Sequence, residues 1–233
     1  MKEEFKRGLK DGLPICLGYF SVSMAFGLTA VKAGIPLWAA VLISFSNLTS
    51  AGQFAGINII IANGTVLELI ISTLIINIRY FLMSLSVSQK VHEEFNIPKR
   101  LIASYGMTDE VFAVSMQRTG ELRFPYMVGL IILPLLGWTL GTLTGAVATD
   151  VLPVVISDAM GIALYGMFIA IIIPPARENR KVFLVILMAI AASLCFTYIP
   201  ILKKVSGGWS IIIITVVISA LAAWIFPIKE DRE

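Results

Sequence analysis

Long apolar runs alternate with short charged clusters along the chain, and the run lengths define its elements. A helix rising 1.5 Å per residue needs about 20 apolar residues to cross about 30 Å of hydrocarbon. Residues 12–31 supply 20 uncharged positions between Asp11 and Lys32. Residues 124–149, 159–176, 182–202 and 205–228 give further runs of 26, 18, 21 and 24. A sixth run, 66–86, is apolar except for Glu68, Asn77 and Arg79. A central charge costs about 2.5–3.5 kcal/mol, which its many Ile and Leu offset. The Lys-rich start resembles a secretory leader, with Val31, Lys32 and Ala33 as a cleavage site, but the run that follows exceeds the usual core of about 7–15 residues. An uncleaved first span is expected.

Residues 33–67 depart from this pattern. Thirty-five uncharged residues would form a helix about 52 Å long, far more than one bilayer. Their middle carries Ser44, Ser46, Asn47, Thr49, Ser50 and Gln53, with an apolar arm on each side. Two half-helices meeting near the midplane are expected. Such a discontinuous or re-entrant element survives in lipid only where its interrupted backbone lines a cavity or is buried in protein.

The Lys and Arg positions bear on whether this element crosses. Six spans, with a re-entrant element and residues 101–116 at the interface, put fourteen of these residues on the N-terminal side and three opposite. Eight spans, with both segments crossing, give eleven and six. The excess of positive charge on cytoplasmic loops favours six, with the N-terminus cytoplasmic. The expected fold is therefore an all-α polytopic membrane protein of six to eight transmembrane segments, one transporter domain over residues 1–233. A faint internal repeat suggests halves of about 12–118 and 124–228: Leu17, Gly18 and Tyr19 precede Pro36 much as Leu136, Gly137 and Trp138 precede Pro153. Duplicated halves are a common transporter architecture.

Composition agrees, with 58% hydrophobic and 14% charged residues and a mean hydropathy of +0.89, against about 25% charged in soluble domains. The net charge of +3 is modest and lies between apolar runs, so no nucleic-acid partner is implied. Cys16 and Cys195 fall inside apolar runs and His92 is the single histidine. A disulfide framework and a His/Cys metal site are disfavoured, no cofactor is implied, and no phosphate-binding loop for ATP is present.

Arg79 is the most informative residue. Helical spacing sets Ser72, Arg79 and Ser86 on one stripe and Thr73, Asn77, Tyr80 and Ser84 on another, so this span faces a bundle interior or a wet cavity. Arg79 suits a carboxylate held by two parallel hydrogen bonds, or it pairs with Asp109, Glu110 or Asp158 to neutralise the interior. Asn47, Ser50 and Gln53 suit the carboxylate and amino group of an amino acid with an aliphatic side chain; the alternative is hydrogen bonding between helices. Thr108 is placed to cap a short helix opened by Asp109 and Glu110. These acids, with Asp158, are candidates for coupling or gating. Gly137, Gly141 and Gly145 recur every four residues and read as a packing face.

Ser50, Ala51, Gly52, Gln53 and Phe54, then Asn77 through Ser84, then Thr108, Asp109 and Glu110, in that order and spacing, resemble the AzlC family of branched-chain amino acid permeases. The resemblance implies a secondary transporter in the bacterial cell membrane that exports leucine, isoleucine and valine. It also implies a small AzlD-type membrane subunit as partner. Tyr80 stands where the family usually has histidine, which removes a group titrating near neutral pH. The small-residue run before Gln53 also differs from the commoner family pattern. An intramembrane enzyme is disfavoured by the single histidine and the lack of a nucleophile motif. A channel or sensor is the remaining alternative.

Overall fold

The computed structural model describes residues 1–149, 166, 169 and 172–226. These residues are helical, with no strand among them beyond an isolated bridge between Val91 and Leu122. The helices are α1 (Lys2–Lys32), α2 (Leu37–Ser46), α3 (Ala51–Ile61), α4 (Val66–Ser88), α5 (Ile97–Tyr105), α6 (Asp109–Gln117), α7 (Phe124–Ala148), α8 (Arg180–Tyr198) and α9 (Gly207–Ile225). Residues 172–178 are also helical. Five described helices are long and apolar enough to cross a membrane: α1, α4, α7, α8 and α9. The expected run 159–176 falls largely outside the described residues, as does Asp158. The chain is an all-α polytopic membrane protein.

Two elements are broken. Residues 33–67 form α2 and α3, of 10 and 11 residues, joined by Asn47 to Ser50. The polar centre stops the first arm because Asn47 is extended (φ −147°, ψ 97°) and Ser50 turns the chain through φ +37°. Few residues other than glycine adopt that region, so the turn is strained. Residues 101–116 form neither one span nor one surface helix. They fall in α5 and α6, nine residues each, separated by Gly106, Met107 and Thr108. Thr108 caps α6, its Oγ1 accepting from the Val111 N–H at 3.4 Å.

The described residues divide into two compact units, Met1–Phe54 with Asn77–Leu164, and Ala55–Ile76 with Tyr165–Glu233. In the first, α1 and α7 pack along a seam of small residues. A Cβ on Gly137 would collide with the Cys16 backbone, one on Gly141 with Phe20 and Ser23, and one on Gly145 with Met24. From the other side, Gly8, Gly12 and Gly27 of α1 approach the α7 backbone as closely. Close backbone approach is how helices gain van der Waals contact in lipid, where the hydrophobic effect does not drive association. At one end of the seam Arg118 donates to both Glu4 oxygens at 2.9 and 2.7 Å and stacks on the Tyr126 ring. The Tyr126 hydroxyl donates to Asp11 at 2.9 Å. Lys90 closes the end of α6, donating to the carbonyls of Ser115, Met116 and Arg118.

In the second unit Glu68, 3% exposed, is the notable polar group. Its carboxylate accepts from the Ser206 hydroxyl and from the Trp209 N–H at 3.2 Å, capping the first turn of α9. Ser72 donates to the Gly208 carbonyl at 3.4 Å. A negative group at a helix N-terminus satisfies free N–H groups and suits the helix dipole.

Candidate functional site

The polar residues of the first unit gather where its broken elements meet. Tyr105, the last residue of α5, donates its hydroxyl to the Phe45 carbonyl near the end of α2, which ties one break to the other. Beyond its own break, α6 opens on Asp109 and Glu110.

Arg79 of α4 pairs with Asp109 at 3.0 Å, their side chains 39% and 31% exposed. Of the acids open to it among the described residues, Asp109 and Glu110, the partner is Asp109. Arg79 also donates to the Tyr80 hydroxyl at 3.3 Å and lies 5.0 Å from that ring's centre. Glu110 accepts from the Tyr19 hydroxyl of α1. The Tyr19 ring meets Trp138 of α7 edge to face, centroids 5.2 Å apart. Such aromatic pairs contribute about 0.5–1.5 kcal/mol beyond the area they bury.

From Trp138 the chain of contacts continues to the first break. The indole Nε1 donates to Gln53 Oε1 at 2.8 Å, Gln53 Nε2 donates to Ser44 Oγ at 3.0 Å, and Ser44 shares a hydrogen bond with Thr142 at 2.7 Å. Gln53 is 2% exposed, and each end of its amide has a protein partner. Ser44 lies in the last turn of the arm before the break and Gln53 in the first turn of the arm after it, so α7 holds both arms through one network. Phe26 and Phe54 pack edge to face beside it, 5.3 Å apart.

Three buried polar atoms in this region lack any partner: Thr49 Oγ1, Asn77 Oδ1 and Arg79 Nε. Thr49 is 9% exposed. A Cβ on Gly52 would collide with Thr49 Oγ1 and approach Asn77 Nδ2 to 3.3 Å, so the hydroxyl and the amide meet over the first turn of α3. An unsatisfied buried donor or acceptor costs about 1–3 kcal/mol, and such groups are rare in folded proteins. Thr49 and Asn77 lie together at the first break, and Arg79 belongs to the ion pair with Asp109 at the second.

The expected site residues divide accordingly. Asn77 and Arg79 supply unpaired atoms, Asp109 and Glu110 bind Arg79 and Tyr19, and Gln53 is held within the protein. Asn47 is the half-buried cap of α2 and Ser50 the strained turn before α3. The sequence reading missed Thr49 as an unpaired group, and Tyr19, Trp138, Ser44 and Thr142 as the frame. Their signal was weak, since hydroxyls and aromatics inside apolar runs usually pack or bond to their own helix. Among the described residues no group of three His, Cys, Asp or Glu side chains is placed to hold a metal ion.

A multi-pass helical membrane protein with a polar site built on two interrupted elements is a class of molecule, and comparison with known sequences narrows it. The profile described as AzlC protein matches residues 14–152, and the chain belongs to this family. An uncharacterized membrane protein of Archaeoglobus fulgidus is 30% identical over 178 residues, 76% of this chain and 78% of its own. The inner membrane protein YgaZ of Escherichia coli is 26% identical over 198 residues, 82% and 80% of the two chains. An uncharacterized membrane protein of Helicobacter pylori is 26% identical over 151 residues, 61% and 65%. No solved structure matches the chain.

Proposed function

We propose that the chain is a secondary transporter that exports branched-chain or similar small apolar amino acids across the bacterial cell membrane. It works as the larger subunit of a two-component permease whose partner is a small AzlD-type membrane protein. The observation that carries the reading is two helix breaks in one unit, with unpaired Thr49 and Asn77 atoms at the first and the partly exposed Arg79–Asp109 ion pair at the second. Interrupted helices are where secondary transporters hold polar substrate groups. Membership of the AzlC family supports the same reading.

In this mechanism the substrate carboxylate exchanges with Asp109 for the Arg79 guanidinium. The unpaired Asn77 oxygen accepts from the ammonium group, and Thr49 lies on the dipole of α3. Gln53 and Ser44 position the break, and no covalent step is involved. The N-terminus is cytoplasmic. The test is accumulation in bacteria lacking other exporters of these amino acids and fed a leucine-containing dipeptide. Cells producing the chain with its small partner should hold less free leucine than cells with an empty vector. Equal levels with both subunits present in the membrane would refute export of leucine.

A further inference from the structure

A second feature of the first unit has no part in the site described above. Between the end of α4 and α5 lies a cavity of about 280 Å³. Leu85, Phe95 and Met107 contribute apolar wall, while Ser84, Ser104 and Arg100 contribute polar groups. Arg100, exposed, is one of the lining residues, and its Nε donates to the Phe95 carbonyl at 3.1 Å, which restrains the planar end of the side chain. At its inner side the cavity reaches Met107, which precedes Thr108 and Asp109, and Ser84, one helical turn beyond Tyr80. It therefore runs from a surface arginine to the break between α5 and α6, two residues short of the partner of Arg79.

The chemistry of the walls selects the occupant. An apolar cavity with a fork-shaped cation at one end suits a small amphiphile carrying a carboxylate, because guanidinium binds carboxylate through two parallel bonds. Its volume lies just under the range of about 300–1,000 Å³ for pockets that enclose drug-sized molecules. That leaves room for one aliphatic amino acid.

We infer that this cavity is the loading vestibule of the transporter, where a free aliphatic amino acid binds by its carboxylate to Arg100 before reaching Arg79. The inference rests on the transport reading and adds a second, outer carboxylate site. Because the α5 end carries Lys99 and Arg100, the vestibule opens on the cytoplasmic side in the six-span layout, the side from which an exporter loads.

The experiment uses the two-subunit complex in vesicles of phosphatidylcholine, with Cys16 and Cys195 replaced by alanine and Ser104→Cys introduced. Reaction of that cysteine with a small charged thiosulfonate is followed at increasing leucine, beside leucine counterflow in the same vesicles. Leucine should slow labelling, with half-protection near the concentration that half-saturates counterflow. Arg100→Gln should raise both concentrations about 10-fold, the low end for a charge-assisted hydrogen bond at an exposed site, and change maximal flux far less; Arg100→Lys should recover part of the loss. Counterflow without protection would overturn the vestibule while leaving the transport reading intact. Protection that depends on added phosphatidylglycerol and ignores leucine would assign the cavity to lipid and overturn it as well. Absence of counterflow of any amino acid in the parent complex would overturn the transport reading, and the vestibule with it.

Discussion

Replacing Gln53 by leucine separates a positioning role from a binding role. Leucine keeps the apolar stem and removes the amide, so Trp138 Nε1 loses its acceptor at 2.8 Å and Ser44 loses a donor at 3.0 Å while keeping Thr142. Trp138 is 2% exposed, so its indole N–H finds no water. An orphaned buried donor costs about 1–3 kcal/mol. Hydrogen bonds between transmembrane helices average about 0.6 kcal/mol in double-mutant cycles, with a maximum of about 1.7. The expected loss for Gln53→Leu is therefore about 1–2 kcal/mol. Trp138→Phe strands the other partner, Gln53 Oε1, whereas the double variant strands neither. Equilibrium unfolding in mixed micelles should give a coupling energy of about 0.6–1.7 kcal/mol. Transport by Gln53→Leu should slow with little change in half-saturating concentration. Single-variant costs that simply add, together with a large rise in half-saturating leucine, would refute the positioning role and make Gln53 a substrate ligand.

Three further outcomes follow from the geometry. Asp109→Asn should free Arg79 and lower the half-saturating leucine concentration, while Arg79→Gln should stop counterflow; recovery in the Arg79→Gln, Asp109→Asn double variant would show that Arg79 only neutralises the acid. Gly145→Leu should prevent a stable fold, since a Cβ there meets the Met24 backbone, whereas Gly18→Ala should be silent because nothing lies within 4 Å; thermal melts in detergent compare them, and equal melting would contradict the seam. Glu68→Ala should destabilise the protein by about 1–3 kcal/mol by leaving the Trp209 N–H and Ser206 without an acceptor; an unchanged unfolding midpoint would remove Glu68 from the packing of α9.

Much of the fold was legible because lipid imposes a length. Runs near 20 residues became α1, α4, α7, α8 and α9, and 35 uncharged residues with a polar centre had to break into α2 and α3. The second break was legible in part: Thr108 caps α6 as its position before Asp109 and Glu110 suggested, whereas α5 before the break was not foreseen. Residues 101–116 are short and interrupted by Asp109 and Glu110, and Gly106 at the break sits against Ile131, a contact no local pattern encodes. The site divides in the same way. Arg79 announces itself as a charge within a span, and its acidic partner was among three named. Gln53 looked like a ligand because a lone amide in an apolar run needs a partner, but those partners, Trp138 and Ser44, lie 85 and 9 residues away in sequence. Burial likewise decides that Thr49 is unpaired, and burial arises from packing between distant helices.

The central claim is that this fold carries aliphatic amino acids, and counterflow tests it most directly. Vesicles holding the chain and its small partner, loaded with unlabelled leucine, should take up external labelled leucine transiently and exchange it against valine as well, with Arg79→Gln vesicles showing neither. Labelled leucine that enters no faster than into protein-free vesicles, in preparations where both subunits are folded and inserted, would contradict the account.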